Sequence, residues 1–123
     1  MIMDKLDEIF YLQKKFDDEI VKTRHLEGIS FEEWMQKESL ATISELCEML
    51  CETNFKWWKN KQEINMDAVK EELVDVLHFF ISMCCKAGMT SEELHALYLG
   101  KNQENFDRQH GKSKKQGYDV TQQ

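Results

Sequence analysis

Glu45 and Glu48 stand three residues apart, and so do Glu72 and Asp75. At the pitch of an α-helix that spacing puts both carboxyls of a pair on one face, where like charges repel. The second pair lies in the run EELVDVLHFFISMCC. That run is apolar on most sides, so its helix belongs to the interior and its charges need a counterpart. An antiparallel hairpin turning near Asn60 sets the two pairs level, and four carboxylates then converge on one place. Protons or cations must neutralise such a cluster, and an all-oxygen ligand set with open positions suits Mg²⁺ or Mn²⁺. In a chain whose residues are 32% charged, one such pair alone would be ordinary solvated surface. Two level pairs, one of them in an apolar setting, point to a divalent-metal site.

The elements that must position these acids are helices. The chain has 123 residues, no proline and five glycines, and Leu, Glu, Lys, Met and Gln recur throughout. That composition favours helix and a single domain, so the expected fold is an all-α bundle of about four main helices. Helix one is expected from about Asp4 to Thr23, with Leu6, Ile9, Phe10, Phe16 and Ile20 forming a core stripe. Gln13 and Asp17 fall on the same stripe, where burial without partners would cost roughly 1 to 3 kcal/mol each. Ser30 and Glu33 in capping-box spacing open helix two, which the pattern carries to about Lys59. At 1.5 Å per residue it would be roughly 45 Å long, enough to require a kink, a break or a role beyond one protomer. Asn60 to Asn65 make the turn, and helix three runs from about Asp67 to Ala87 with Gly88 as its left-handed cap. Thr90 and Glu93 open helix four, which fades near His110 and Gly111. Residues 1–111 are thus the expected domain, and residues 112–123 a basic, mobile tail.

Charge narrows the partners. Sixteen basic against 23 acidic residues give a net charge of -7, a field that repels nucleic acid, so no polynucleotide partner is expected. A small anionic substrate would need local cations. The N-terminus lacks a basic-then-apolar signal pattern. Asp75 and His78 interrupt the apolar stretches well short of the ~20 residues that span a bilayer. A soluble, cytoplasmic protein with no membrane partner is the expectation. Cys47, Cys51, Cys84 and Cys85 form no CxxC pair and are read as buried free thiols.

Glu45-x-x-Glu48, 23 intervening residues and Glu72-x-x-Asp75 together resemble the signature of the all-α nucleotide pyrophosphohydrolases, the MazG-like superfamily. The segments ETNFKWWKNK, ELVDVLHFF and KNQENFDRQHG are similar to those of the dimeric, all-α dUTPases. The resemblance implies Mg²⁺-dependent hydrolysis of dUTP to dUMP and pyrophosphate, with dCTP or a broader set of noncanonical nucleotides as the alternative. It implies that Glu45, Glu48, Glu72 and Asp75 hold the metal, and that Glu45 or Glu48 activates the attacking water. Lys101, Asn105 and Arg108, at i, i+4 and i+7 of helix four, match a KxxxNxxR element that binds phosphate. Tyr118 resembles a closing GxY whose tail folds over the nucleotide. Gln13 matches the family's base-reading glutamine, and Asp17 stands where the family often carries asparagine. Lys56 and Trp58 fall in an FKxW segment that packs on base or deoxyribose, while His78 is placed to line the base pocket. The family forms dimers, which implies a homodimer here.

Two other readings compete. Asp75-x-x-His78 and Glu92-x-x-His95 echo the carboxylate-histidine unit of di-iron bundles, although Glu92 and His95 fall at the opening of helix four. A non-catalytic module whose acidic groove takes a basic helix is the other.

Overall fold

The computed structural model describes residues 2–114. Four helices, α1 (Lys5–Arg24), α2 (Phe31–Cys51), α3 (Met66–Lys86) and α4 (Ser91–Gln109), make an all-α protein with no strand among the described residues. No single helix among them is long and apolar enough to cross a membrane. The chain divides after Met89 into two compact units, the first holding α1 to α3 and the second holding α4.

Local chemistry sets the helix ends. Asp4 and Asp7 form a complete capping box that opens α1, each side chain taking the other's backbone N–H. Ser30, Asn65 and Thr90 accept the amides of Glu33, Ala68 and Glu93 and open the remaining three. Gly88, at φ 77°, closes α3 as expected, with the Met89 amide reaching back to the Cys84 carbonyl.

Helix α2 departs from the expectation. It stops at Cys51 rather than continuing to about Lys59. The Thr53 hydroxyl donates to the Leu50 carbonyl at 2.6 Å, and Asn54 turns into the left-handed region at φ 59°. The Asn54 side chain then donates to the Gln62 carbonyl and accepts the Gln62 amide, both at 2.8 Å. Side-chain bonding to the backbone has out-competed helix continuation. The anticipated break is therefore a loop pinned at both ends by one asparagine.

Within the first unit α3 packs against both α1 and α2. The fully enclosed apolar core is small: Phe10, Ile81 and Cys84. Leu40, Ile43, Leu46 and Leu50 on α2, and Leu73, Val74, Leu77 and Phe80 on α3, remain substantially exposed in the single chain. Cys47 and Cys51 also lie exposed on α2, contrary to the reading of all four thiols as buried, because they share that uncovered side of the helix. Cys84 is buried and Cys85 half-buried. Burial pushes both of these thiols above their usual range.

Candidate metal and nucleotide site

The four acids meet. Contacts between α2 and α3 run antiparallel: Glu38 meets Ser82 and Lys86, while further along α2 Glu45 meets Glu72. One carboxylate oxygen each from Glu45, Glu72 and Asp75 lies within 4.8 Å of the other two. Glu48 joins them through Glu72. The Glu72 carboxyl is pushed up to about 7, chiefly because it shares a proton with Glu45, then through burial, then through the negative charge of Glu48. Glu45 and Glu72 each also keep one enclosed oxygen without a hydrogen-bond partner. Orphaned acceptors, an all-carboxylate donor set and a carboxyl that retains its proton near neutrality are what a cation would relieve. The residues fit a hard divalent ion such as Mg²⁺ or Mn²⁺.

A cavity of about 580 Å³ opens beside this cluster, with Glu45 and Asp75 among its walls. That size suits a nucleotide-scale ligand. Gln13, Asp17, Glu38, His78, Ser82 and Lys86 are also among its walls, with Trp34, Phe79 and further apolar residues of α1. Gln13 is buried, and its amide is spoken for on both sides. Its Nε2 donates to Asp17 at 3.0 Å, and its Oε1 lies 2.8 Å from Nδ1 of His78. The Ser82 hydroxyl lies 2.7 Å from Asp17 and 2.6 Å from Glu38. Lys86 donates to Glu38 at 2.8 Å and to Ser82 at 2.7 Å, pairs with Asp17 at 3.6 Å, and sits 4.4 Å from the centre of the Trp34 ring. This network explains the two polar residues on the apolar stripe of α1, of which Phe10 is buried while Ile9 and Phe16, expected in the core, are exposed.

Glu38, Ser82, Lys86 and Trp34 were not among the residues singled out in the sequence. A signal for three of them was present. Asp75, His78, Ser82 and Lys86 recur at three, four and four residues, one polar stripe on an otherwise apolar helix. Glu38 lies seven residues before Glu45, two turns along the same face of α2.

Other sequence candidates lie elsewhere. Lys56, half-buried, holds its ammonium 5.9 Å from the Phe55 ring centre. Trp58 is exposed and edge-on to Trp57, with centroids 5.4 Å apart. Neither lines the cavity. Lys101, Asn105 and Arg108 share one face of α4, in the second unit. Tyr118 and the tail beyond Lys114 lie outside the described residues.

The buried charges of the first unit are interdependent. Lys86→Met would leave Asp17 and Glu38 without their cation, and loss of one partner from a buried ionic group typically costs about 3 to 5 kcal/mol. A urea melt should show a loss of about that size. An unchanged midpoint would mean that the network contributes nothing to folding.

By fold this is an all-α protein, and its half-buried Glu45 and Glu72 meet the exposed Asp75 and Glu48 beside a nucleotide-sized cavity in a donor set that fits a divalent cation. The family model for dUTPase matches residues 5–88, and the chain belongs to that family, the all-α dUTPases. Over 87 residues it is 34% identical to the dCTP pyrophosphatase of Enterobacteria phage T4, covering 59% of this chain and 51% of that protein. It is 49% identical over 41 residues to the dCTP pyrophosphatase of Enterobacteria phage LZ5, covering 33% of this chain and 24% of that protein. The chain spans about half the length of the first of these relatives and less of the second. No solved structure matches it.

Proposed function

We propose that the protein hydrolyses a pyrimidine deoxynucleoside triphosphate to the monophosphate and pyrophosphate, with dUTP, which the family suggests, and dCTP as the two candidate substrates. The observation that carries this reading is the placement of the acid cluster and the polar network at two levels of one cavity. Glu38 and Glu45 on α2, like Asp75 and Ser82 on α3, are seven residues apart, about 10 Å of helix. That is the scale separating the phosphates of a nucleotide from the far edge of its base.

Glu45, Glu48, Glu72 and Asp75 would hold the metal. Bound there, a divalent cation would offset phosphate charge and lower the pKa of a coordinated water. Glu45 or Glu48 would take the proton of the attacking water, the role the family resemblance implies for this pair. Phe79 and Trp34 give the cavity apolar walls, while Gln13, Asp17 and His78 face the base with polar edges. The assignment of Lys101, Asn105 and Arg108 to phosphate rests on the family resemblance of that helix. A reaction on free nucleotides belongs in the cytoplasm.

The run of exposed apolar residues on α2 and α3 supports a homodimer. A second substrate reading, dCTP, is favoured by Asp17, a side chain that as a carboxylate only accepts hydrogen bonds. The two phage relatives bear the name dCTP pyrophosphatase. The test is pyrophosphate release from dUTP, dCTP, dTTP and UTP with Mg²⁺ or Mn²⁺, with the sedimenting mass measured on the same sample. Turnover of dUTP or dCTP well above the other two is expected. No release from any of the four would sink the reading.

A further inference from the structure

Glu38 has no role in metal binding or water activation, yet it is only 7% exposed and lines the cavity. Its Oε1 takes both Ser82 and Lys86. Its Oε2 is enclosed and has no partner among the described residues. A buried carboxylate oxygen left unpaired is costly, and native structures seldom leave one without something to fill it.

The surroundings are short of donors in the same direction. Asp17 and Glu38 carry two negative charges against the one ammonium that pairs with them, Lys86, while Lys37, which also lines the cavity, pairs with Glu33. Ser82 has one hydroxyl hydrogen and stands within 2.7 Å of both carboxylates, so it satisfies one of them at a time. What Glu38 Oε2 lacks is a donor. Cytosine offers one in its exocyclic 4-amino group, whereas uracil turns a carbonyl acceptor to the same side and would meet two carboxylates with a third oxygen.

We propose that Glu38 is a specificity-determining residue that accepts the 4-amino group of the base, so that the site favours 4-amino over 4-oxo pyrimidine nucleotides. This inference rests on the nucleotide reading of the cavity given above. Lys86 and Ser82 act as positioning residues. They anchor Oε1 and leave Oε2 to the ligand.

The experiment compares kcat/KM for dCTP and dUTP, and calorimetric binding of dCMP and dUMP, in the wild type, Glu38→Gln and Glu38→Asp. The wild type should favour dCTP and dCMP. Glu38→Gln should lower the dCTP to dUTP ratio about ten- to a hundredfold, chiefly through dCTP, as expected for one charge-assisted hydrogen bond. Glu38→Asp keeps a carboxylate for Lys86, so it guards against simple misfolding, and it should lower the ratio too by withdrawing the oxygen. Equal losses on both nucleotides, or a wild type that prefers dUTP, would overturn the proposal. Absent hydrolysis with Glu38-dependent preference for dCMP would sink the enzymatic reading and keep this one. Binding of neither monophosphate would remove both.

Discussion

Asp75→Asn and Glu48→Gln are each expected to cut nucleotide hydrolysis by about a thousandfold or more while leaving the helices in place. Each exchange removes a charged oxygen ligand and with it several kcal/mol of transition-state stabilisation, and every 1.36 kcal/mol is about tenfold in rate. Glu48→Gln also relieves repulsion, because Glu48 is one of the carboxyls that hold Glu72 up, and Asp75→Asn removes a charge that lies within 4.8 Å of Glu45 and Glu72. The metal-free variants should therefore melt no lower than the wild type, and helical circular dichroism should be unchanged. Full activity in both would refute the site. Lost activity with a lowered melting temperature would assign the acids to folding instead.

Magnesium binding should be strongly pH-dependent, because the ion must displace the proton that Glu72 keeps. The Glu72 carboxyl stands at about 7 against an ordinary 4.5. Between those values the folded chain holds a proton that the unfolded chain has released. The stabilisation from this group is full below 4.5 and is lost as pH rises through about 7. Metal-free protein should lose stability over that window, and Mg²⁺ should restore it. Apparent Mg²⁺ affinity should climb with pH by up to about tenfold per unit below neutrality and level off above. Calorimetry in buffers of different ionisation enthalpy should show proton release near pH ~6 and almost none near pH ~8. An affinity flat across that range would remove Glu72 from the site.

Much of this was legible in the sequence because it rested on short-range rules. Capping residues marked the openings of α2 and α4, Gly88 marked the end of α3, and the two carboxylate pairs could be set level by counting from Asn60. The end of α2 was not legible. Thr53 bonds back to Leu50 and Asn54 to a backbone eight residues on, and nothing in the local apolar pattern reports a partner that distant. Glu38 was hidden for a related reason. On α2 it is one acid among several, and its burial becomes evident only when α3 brings Ser82 and Lys86 against it. The exposure of Cys47 and Cys51 was misjudged because an apolar helix face was assumed to be covered by its own chain.

The Asn54 to Gln62 contact and the Lys86 to Glu38 contact fall on opposite sides of the acid cluster. The loop that joins α2 to α3 is thus closed on one side of the cluster, and the two helices are tied to each other on the other. Splaying, the easiest escape for two like-charged rods, is closed to them. Repulsion between the acids is instead eased by taking up something positive, and the proton that Glu72 retains is the first such guest.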